Sequence, residues 1–363
     1  MVIKYIGTLH FPYESRLLRL RRPDPAVGTF YLEGRETMRA SCNPRRRLLA
    51  ALAVSALATM SHAVWAAFPD KPIRVMVPFP AGSATDTSAR ILGAEISKAT
   101  GQPVIVENKP GANGSIATEQ VAKAVPDGYT ILLTSNTHLA NKFLFKHIRY
   151  DPIGDFKSVA LYKKPSPLVL VVGESSPYRS LAEITAAAKS APGKLTYGSG
   201  NSSSHVAGEM YKQLIGSDIL YVPYKGNPEA LSEVAAGRVD MMFADATSFL
   251  PLMSAGKLRV IMAAGTERLP LIPNVPTAAE AGLAALKIGS WGMFLAPART
   301  PDAIADKLNA LINAAVKTPA AARYFAATNS EGFTGTRKDL DDFMASESTK
   351  WGGIIRNANI QPE

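Results

Sequence analysis

The side chains of this chain that could do chemistry gather in a few short loops, and most carry hydroxyls or amides rather than charges. Gly198-Ser199-Gly200-Asn201-Ser202-Ser203-Ser204-His205 leads straight into an apolar-periodic stretch with Val206, Met210 and Leu214. Such a run points open helix N–H groups and hydroxyls at one spot, with no fixed cation, an arrangement suited to an anionic oxygen. His205 falls in the first helical turn with no acid predicted beside it, and reads more readily as a structural or capping histidine than as a base. Phe79-Pro80-Ala81-Gly82-Ser83-Ala84-Thr85-Asp86 forms a second small-residue loop, again ahead of a helical pattern, with Ile91, Leu92 and Ile96. It holds no Lys, Arg or Cys and its one ionisable residue is acidic, which suggests capture of a carboxylate by backbone donors rather than chemistry on it. The same loop reads equally as an ordinary turn with Asp86 as helix cap.

Three further strand ends add polar groups. In Thr134-Ser135-Asn136-Thr137-His138, Ser135 and Asn136 are placed to bond a ligand oxygen or to satisfy the turn itself. Tyr221-Val222-Pro223-Tyr224-Lys225-Gly226 offers Tyr224 as a cleft wall and Lys225 to steer anions. Phe243-Ala244-Asp245 ends on a carboxylate that either accepts from a ligand donor or holds two lobes together. Enzyme motifs are missing. Tyr197-Gly198-Ser199-Gly200-Asn201 is not a G-x-S-x-G elbow, and neither a phosphate-binding P-loop nor a dinucleotide fingerprint occurs. His138, His147 and His205 stand in no metal-ligand spacing. No catalytic residue, metal or cofactor is assigned; a serine hydrolase using Ser199 and His205 is the contrasting alternative.

These loops need strands and helices to hold them. Beyond residue 67 the pattern alternates the two, as in α/β layers around parallel-rich sheets. Ile73–Val77, Val104–Val106, Tyr129–Leu133 and Leu168–Val172 read as strands, with a helix over Ser115–Ala124. The last of these follows a Pro-rich passage, Lys163-Lys164-Pro165-Ser166-Pro167, and begins a second set of units. Ser180 opens a helix to Ala188 with Glu183 three residues on, and strands recur at Leu195–Gly198, Ile219–Pro223, Val239–Phe243 and Leu258–Ala263. Gly237 and Gly256 stand where helices should stop. Thr300-Pro301-Asp302 predicts a hydroxyl cap before Pro at the first helical position, and a last helix runs from about Lys338 to Ile355. Two lobes with chain crossings near Pro167 and near Ala264 explain this order, leaving a cleft at the carboxyl ends of the strands.

The chain has 363 residues and a formal charge of +10, which at first suggests nucleic acid. The excess is local: residues 1–66 carry ten Lys and Arg against four Asp and Glu. Arg45-Arg46-Arg47, the apolar run from Leu48 to Met60 and Ser61-His62-Ala63-Val64-Trp65-Ala66 have the layout of a secretory signal peptide cleaved near Ala66. The apolar run is too short for a stable membrane anchor. Residues 38–66 read as that signal and residues 1–37 as a non-native extension before a start at Met38. The single Cys42 lies in the leader, which excludes a disulfide or thiolate chemistry in the mature protein. Nucleic acid is excluded as a partner.

At these residues the chain resembles the Bug-type periplasmic solute-binding receptors of tripartite tricarboxylate transporters. The resemblance covers roughly residues 68–363. Its marks are Phe68-Pro69-Asp70-Lys71-Pro72-Ile73-Arg74, the Val77–Asp86 loop, Val106-Glu107-Asn108-Lys109-Pro110-Gly111-Ala112 and Pro126-Asp127-Gly128-Tyr129-Thr130. Val222-Pro223-Tyr224-Lys225-Gly226 and Val275-Pro276-Thr277-Ala278-Ala279-Glu280-Ala281-Gly282 complete them. Two departures stand out: Ala81-Gly82-Ser83 replaces Pro-Gly-Gly with Asp86 kept, and Ala244 displaces the Asp usual after Met-Phe, leaving Asp245.

The resemblance implies a two-lobed, type II (Venus-flytrap) α/β binding protein: residues 67–167 and 265–363 in lobe 1, 168–264 in lobe 2. It implies a non-enzymatic, monomeric receptor in the periplasm of a Gram-negative bacterium, delivering its ligand to membrane transporter subunits. The expected ligand is a small organic carboxylate: a mono- or dicarboxylate, an amino acid or an aromatic acid. The donors expected are the amides around Gly82–Ala84 and Ser203–His205, with Phe79, Pro80, Ala81, Asp86, Ser135, Asn136, Ser199, Ser204, Tyr224 and Asp245 completing the site. A sensor of the same fold, signalling to a membrane kinase, is the alternative within the fold.

Overall fold

The computed structural model describes residues 68–362. The proposed extension, signal peptide, Cys42 and cleavage point near Ala66 lie outside them. Two five-stranded sheets organise the described chain. The first has the order β2-β1-β3-β10-β4: β1 (Ile73–Val77), β2 (Val104–Asn108), β3 (Thr130–Ser135), β4 (Phe156–Pro167) and β10 (Gly289–Pro297). The second has the order β7-β6-β8-β5-β9: β5 (Val169–Gly173), β6 (Thr196–Ser199), β7 (Leu220–Pro223), β8 (Met241–Ala244) and β9 (Leu258–Ala263). In the first, β1 runs parallel to β2 and β3, while β10 lies antiparallel between β3 and β4. In the second, β6 is parallel to β7 and β8, and β5 is antiparallel to β8 and β9.

Helices follow the parallel strands as expected, each starting near the carboxyl end of a strand. α1 (Ala84–Thr100) follows β1; α2 (Ser115–Ala122) and α3 (Thr137–Leu144) lie before and after β3. In the second lobe α4 (Leu181–Ser190) leads into β6, α5 (Ser202–Ile215) follows β6, α6 (Asn227–Ala235) follows β7 and α7 (Ala246–Ser254) follows β8. α8 (Asp302–Val316), α9 (Pro319–Ala327) and α10 (Arg337–Asn357) close the chain on the first lobe. Val75, Leu92, Ile131, Phe294 and Ile312 share one buried cluster there. A second joins Leu170, Tyr197 and Phe243 to Leu144 of α3 and Trp351 of α10, so α5 docks on first-lobe helices through apolar side chains.

The crossings run side by side. Leu168 N donates to Ile288 O at 3.1 Å, Ala264 N to Leu168 O at 2.7 Å, and Ile288 N to Ala264 O at 3.3 Å. A hydrogen-bonded seam of this kind bends as a unit and resists shear. Two details differ from the sequence reading. Lys163–Pro167, taken as a Pro-rich connection, is the end of the long strand β4, at the sheet edge where Pro is tolerated. Thr300 does not cap α8: Pro301 occupies the N-cap position with non-helical backbone, so the helix starts one residue too late, and Thr300 Oγ1 is buried without a partner among the described residues.

His138, at the start of α3, is buried against Tyr150 and Phe156, and its Nε2 lies 2.8 Å from Pro152 O. Burial pushes its pKa down to about 4 from 6.5, against smaller opposing pulls from the Pro152 carbonyl and Asp151. With the folded pKa depressed, this stabilisation is complete above about pH 6.5 and is lost as pH falls towards about 4. A shift of that size corresponds to on the order of 3 kcal/mol. Urea unfolding from pH 7 to pH 4 should show this loss, and His138→Gln should remove most of it; parallel pH profiles for variant and wild type would contradict it.

Candidate functional site

The first loop is set by its own hydrogen bonds. Ser83 is the N-cap of α1, its Oγ accepting from Asp86 N at 3.2 Å. Asp86 Oδ2 accepts from Gly82 N at 2.9 Å, and Asn108 Nδ2 bridges Asp86 Oδ1 (2.9 Å) and Phe79 O (3.0 Å). The Arg90 guanidinium meets the same carboxylate at 2.9 Å. Burial raises the Asp86 carboxyl, but hydrogen bonds from Arg90, the Gly82 amide and Asn108, with the Arg90 charge, outweigh it and hold it below the usual carboxylate range. Gly82 takes a φ of +79°, the left-handed conformation that favours glycine. Asp86 thus braces the loop, and the Ser83 hydroxyl serves as its cap.

This bracing shifts the open donors by one or two residues. The Gly82 amide is taken by Asp86 and the Ser83 amide by Pro80 O, which leaves Ala84 and Thr85 as the amides at the start of α1 unbonded among the described residues. The second loop behaves alike. Asn201 caps α5, its Oδ1 accepting from Ser204 N at 3.0 Å and its carbonyl from His205 N at 3.1 Å. The expected donors Ser204 and His205 are therefore spent, and Ser202 and Ser203 carry the open amides.

The starts of five helices meet at one pocket between the lobes. It is lined by Ala84 and Thr85 of α1, Asn136 before α3, Asn201 and Ser203 of the α5 turn, Asn227 of α6 and Asp245 before α7. As it stands the pocket has room for about 30 Å³, and Phe79, Ser83 and Ser135 complete the predicted part of its wall. A second cavity of about 520 Å³ shares Phe79 and Asn201 with it and holds Ser199, His205 and Tyr224, with Lys225 and Glu229 also in its lining. The His205 ring lies flat on Tyr221, centroids 4.2 Å apart and planes within 5°. Ser199 Oγ donates to Asn201 O at 3.3 Å and lies 3.4 Å from Tyr221 OH. Pro80, Ala81, Gly82, Asp86 and Ser204 line neither cavity.

Asp245 spends its carboxylate inside the second lobe. Oδ1 accepts from Ser248 N and Oγ, both at 3.0 Å, and Oδ2 accepts from Asn227 Nδ2 at 3.0 Å. The bonds between lobes are made by neutral groups. Ser203 Oγ donates to Asn136 Oδ1 at 2.9 Å, Ser202 Oγ to Asn141 Oδ1 at 3.1 Å and Asn113 Nδ2 to Ser202 Oγ at 2.6 Å. Thr247 Oγ1 and Tyr324 OH meet at 3.2 Å.

The sequence reading missed Lys163. It lies in the wall of the small pocket with only 7% of its surface exposed. Among the described residues its ammonium makes no hydrogen bond or ion pair. Burial pushes its pKa down and the charge of Asp245 pushes back. Register irregularities in the β4–β10 ladder bring it there: Gly292 pairs with Lys163 but Met293 pairs with Leu161, leaving Tyr162 as an extra residue on β4. Two consecutive lysines after the apolar Val159–Tyr162 run were the available signal, since one must face inwards if the strand continues.

Two α/β lobes that meet over a small polar pocket floored by helix N-termini form a solute-binding receptor. The chain belongs to the tripartite tricarboxylate transporter family receptors, whose model matches residues 88–360. It is 36% identical over 315 residues, 86% of this chain and 94% of the relative, to a Pseudomonas sp. (strain P51) protein from the tcbD–tcbE intergenic region. It is 32% identical over 298 residues to BugT of Bordetella pertussis, covering 81% of this chain and 91% of BugT. MatC of Rhodopseudomonas palustris, solved with malate, superposes with a TM-score of 0.76 at 32% identity, over 79% of this chain and all of MatC. An R. palustris protein solved with adipate gives 0.78 at 31% identity, over 82% of this chain and 100% of that one. The family is one of transporter receptors rather than enzymes, and the hydrolase alternative for Ser199 and His205 is withdrawn.

Pro80 and Gly226 touch across the cleft: a Cβ on Gly226 would lie 2.5 Å from Pro80 Cδ. Gly226 has an extended backbone, φ −173°, so Gly226→Ala adds only this clash. Overpacking of this kind costs about 1–3 kcal/mol, so affinity for an acid bound by the wild type should fall about 10-fold with the unliganded melting temperature nearly unchanged. Unchanged affinity in a titration would show that the bound state does not need this contact.

Proposed function

We propose that this protein captures a small organic carboxylate in the pocket between its lobes and delivers it to membrane transporter subunits. The lobes are taken as residues 67–167 with 265–363, and 168–264. One observation carries the reading: helix starts from both lobes converge on one polar pocket, in whose wall Ala84, Thr85 and Ser203 keep amides unbonded among the described residues. An anion there would accept from Ala84 and Thr85 on one side and from Ser203 on the other, at the positive ends of two helix dipoles. Each end contributes up to about 2 kcal/mol in a partly buried geometry. Contacts available only when the lobes meet supply the differential binding that drives closure. The larger cavity, with Tyr224 and the His205–Tyr221 stack in its lining, would receive the rest of the ligand. The malate and adipate in the related R. palustris structures support a carboxylate as the ligand.

A ligand that binds only the folded state raises its melting temperature once its concentration exceeds Kd. A thermal-shift screen of the purified protein against mono-, di- and tricarboxylates, amino acids and aromatic acids should give a selective rise for one structural class. A flat profile across all acids, on protein that melts cooperatively, would refute carboxylate capture.

A further inference from the structure

Lys163 has the marks of a ligand group rather than of a structural one. Its side chain is more than nine-tenths buried, yet its ammonium has no hydrogen bond or ion pair among the described residues. Its neighbours in the pocket wall are occupied otherwise: Asn136 by Ser203, Asn227 by Asp245, and Asp245 by Ser248 and Asn227. Asp245 is the one carboxylate in that wall, and it lies beyond the 4.0 Å ion-pair distance of Lys163. The phenol of Tyr162 is held neutral by burial, and so is that of Tyr324, which bonds Ser88 of the pocket wall at 2.9 Å. A cationic side chain buried this far, its ammonium unpaired at a polar pocket, is suited to an anion. The open amides of Ala84, Thr85 and Ser203 stand in the same small wall, so the cation and the helix starts serve one site.

We propose that Lys163 is the counter-ion of the ligand's buried carboxylate and makes the pocket selective for acids over their uncharged amides. The proposal rests on the carboxylate reading above and adds to it a side-chain cation that the loop residues alone do not supply. Asp245, at longer range, opposes the downward push of burial on the Lys163 ammonium. When a carboxylate enters, it replaces the missing partner, and the charge pair is sealed from water as the lobes meet.

The test compares wild type with Lys163→Met and Lys163→Gln, checked for folding by circular dichroism. Probes are succinate, malate, adipate, glutamate, benzoate and 4-hydroxybenzoate, plus the primary amide of whichever acid binds wild type most tightly. Removing one partner of a buried charge pair should weaken the acid by about 30-fold or more in both variants, with binding of the amide unchanged or improved. The unliganded Lys163→Met protein should melt no lower than wild type, because methionine fills the volume without an unpaired charge. A structural lysine would instead lower the unliganded melting temperature and leave acid-over-amide selectivity intact, and that pattern overturns the proposal. Acid affinity within threefold of wild type overturns the assignment of Lys163 alone. Wild-type protein that binds none of the acids overturns this proposal together with the carboxylate reading.

Discussion

The structure turns on what it leaves unpaired in a place with little water. A buried amide or ammonium without a partner is expensive, costing from about 1 to several kcal/mol. Yet the pocket between the lobes gathers the open amides of α1 and α5 together with the Lys163 ammonium. Elsewhere in the same loops the carboxylates and capping side chains are committed to bonds of their own. Asp86 is committed to Gly82, Asn108 and Arg90, Asn201 to Ser204, and Asp245 to Ser248 and Asn227. The saturated network fixes where the unsaturated donors point, so each lobe's half of the pocket is preorganised for an anion before the lobes meet.

The contacts between the lobes are graded to match. Along one side, α5 of the second lobe shares an apolar cluster with Leu144 of α3 and with Trp351 and Ile355 of α10, a durable contact. The Leu168, Ala264 and Ile288 backbones stitch the crossings together. Around the pocket the bridges are neutral hydroxyl–amide pairs such as Ser203 with Asn136 and Ser202 with Asn141. Bonds of that type contribute only about 1 kcal/mol net, because water replaces them when they open. Such a closure can be tipped by a ligand's own contacts, which suits a receptor that must also release its cargo.

Most of this was legible in the sequence. The alternation of Ile73–Val77 followed by the Ile91, Leu92 and Ile96 pattern fixed β1 and α1, and Ser180 with Glu183 marked the start of α4, where the cap bond is found. The small-residue loops pointed to an anion at helix starts for the same reason. What stayed hidden depended on register and on partners distant in sequence. Pattern alone cannot tell that Asp86 faces Asn108 and Arg90, so of the expected Gly82–Ala84 amides only Ala84 stays open, joined by Thr85. Lys163 was missed because Pro165 and Pro167 made its strand look like a linker, and because the ladder irregularity opposite Gly292 sets which way it turns. Thr300 looked like a cap because nothing local shows that α8 begins only at Asp302.

The central claim is that an acid's carboxylate sits at the joined helix starts, and a crystal structure with a bound acid tests it most directly. The prediction is a carboxylate oxygen about 2.7–3.2 Å from the amide nitrogen of Ala84 or Thr85, with its partner oxygen facing Ser202 or Ser203. A carboxylate found instead in the larger cavity beside Lys225, with the small pocket still closed around Lys163, would contradict it.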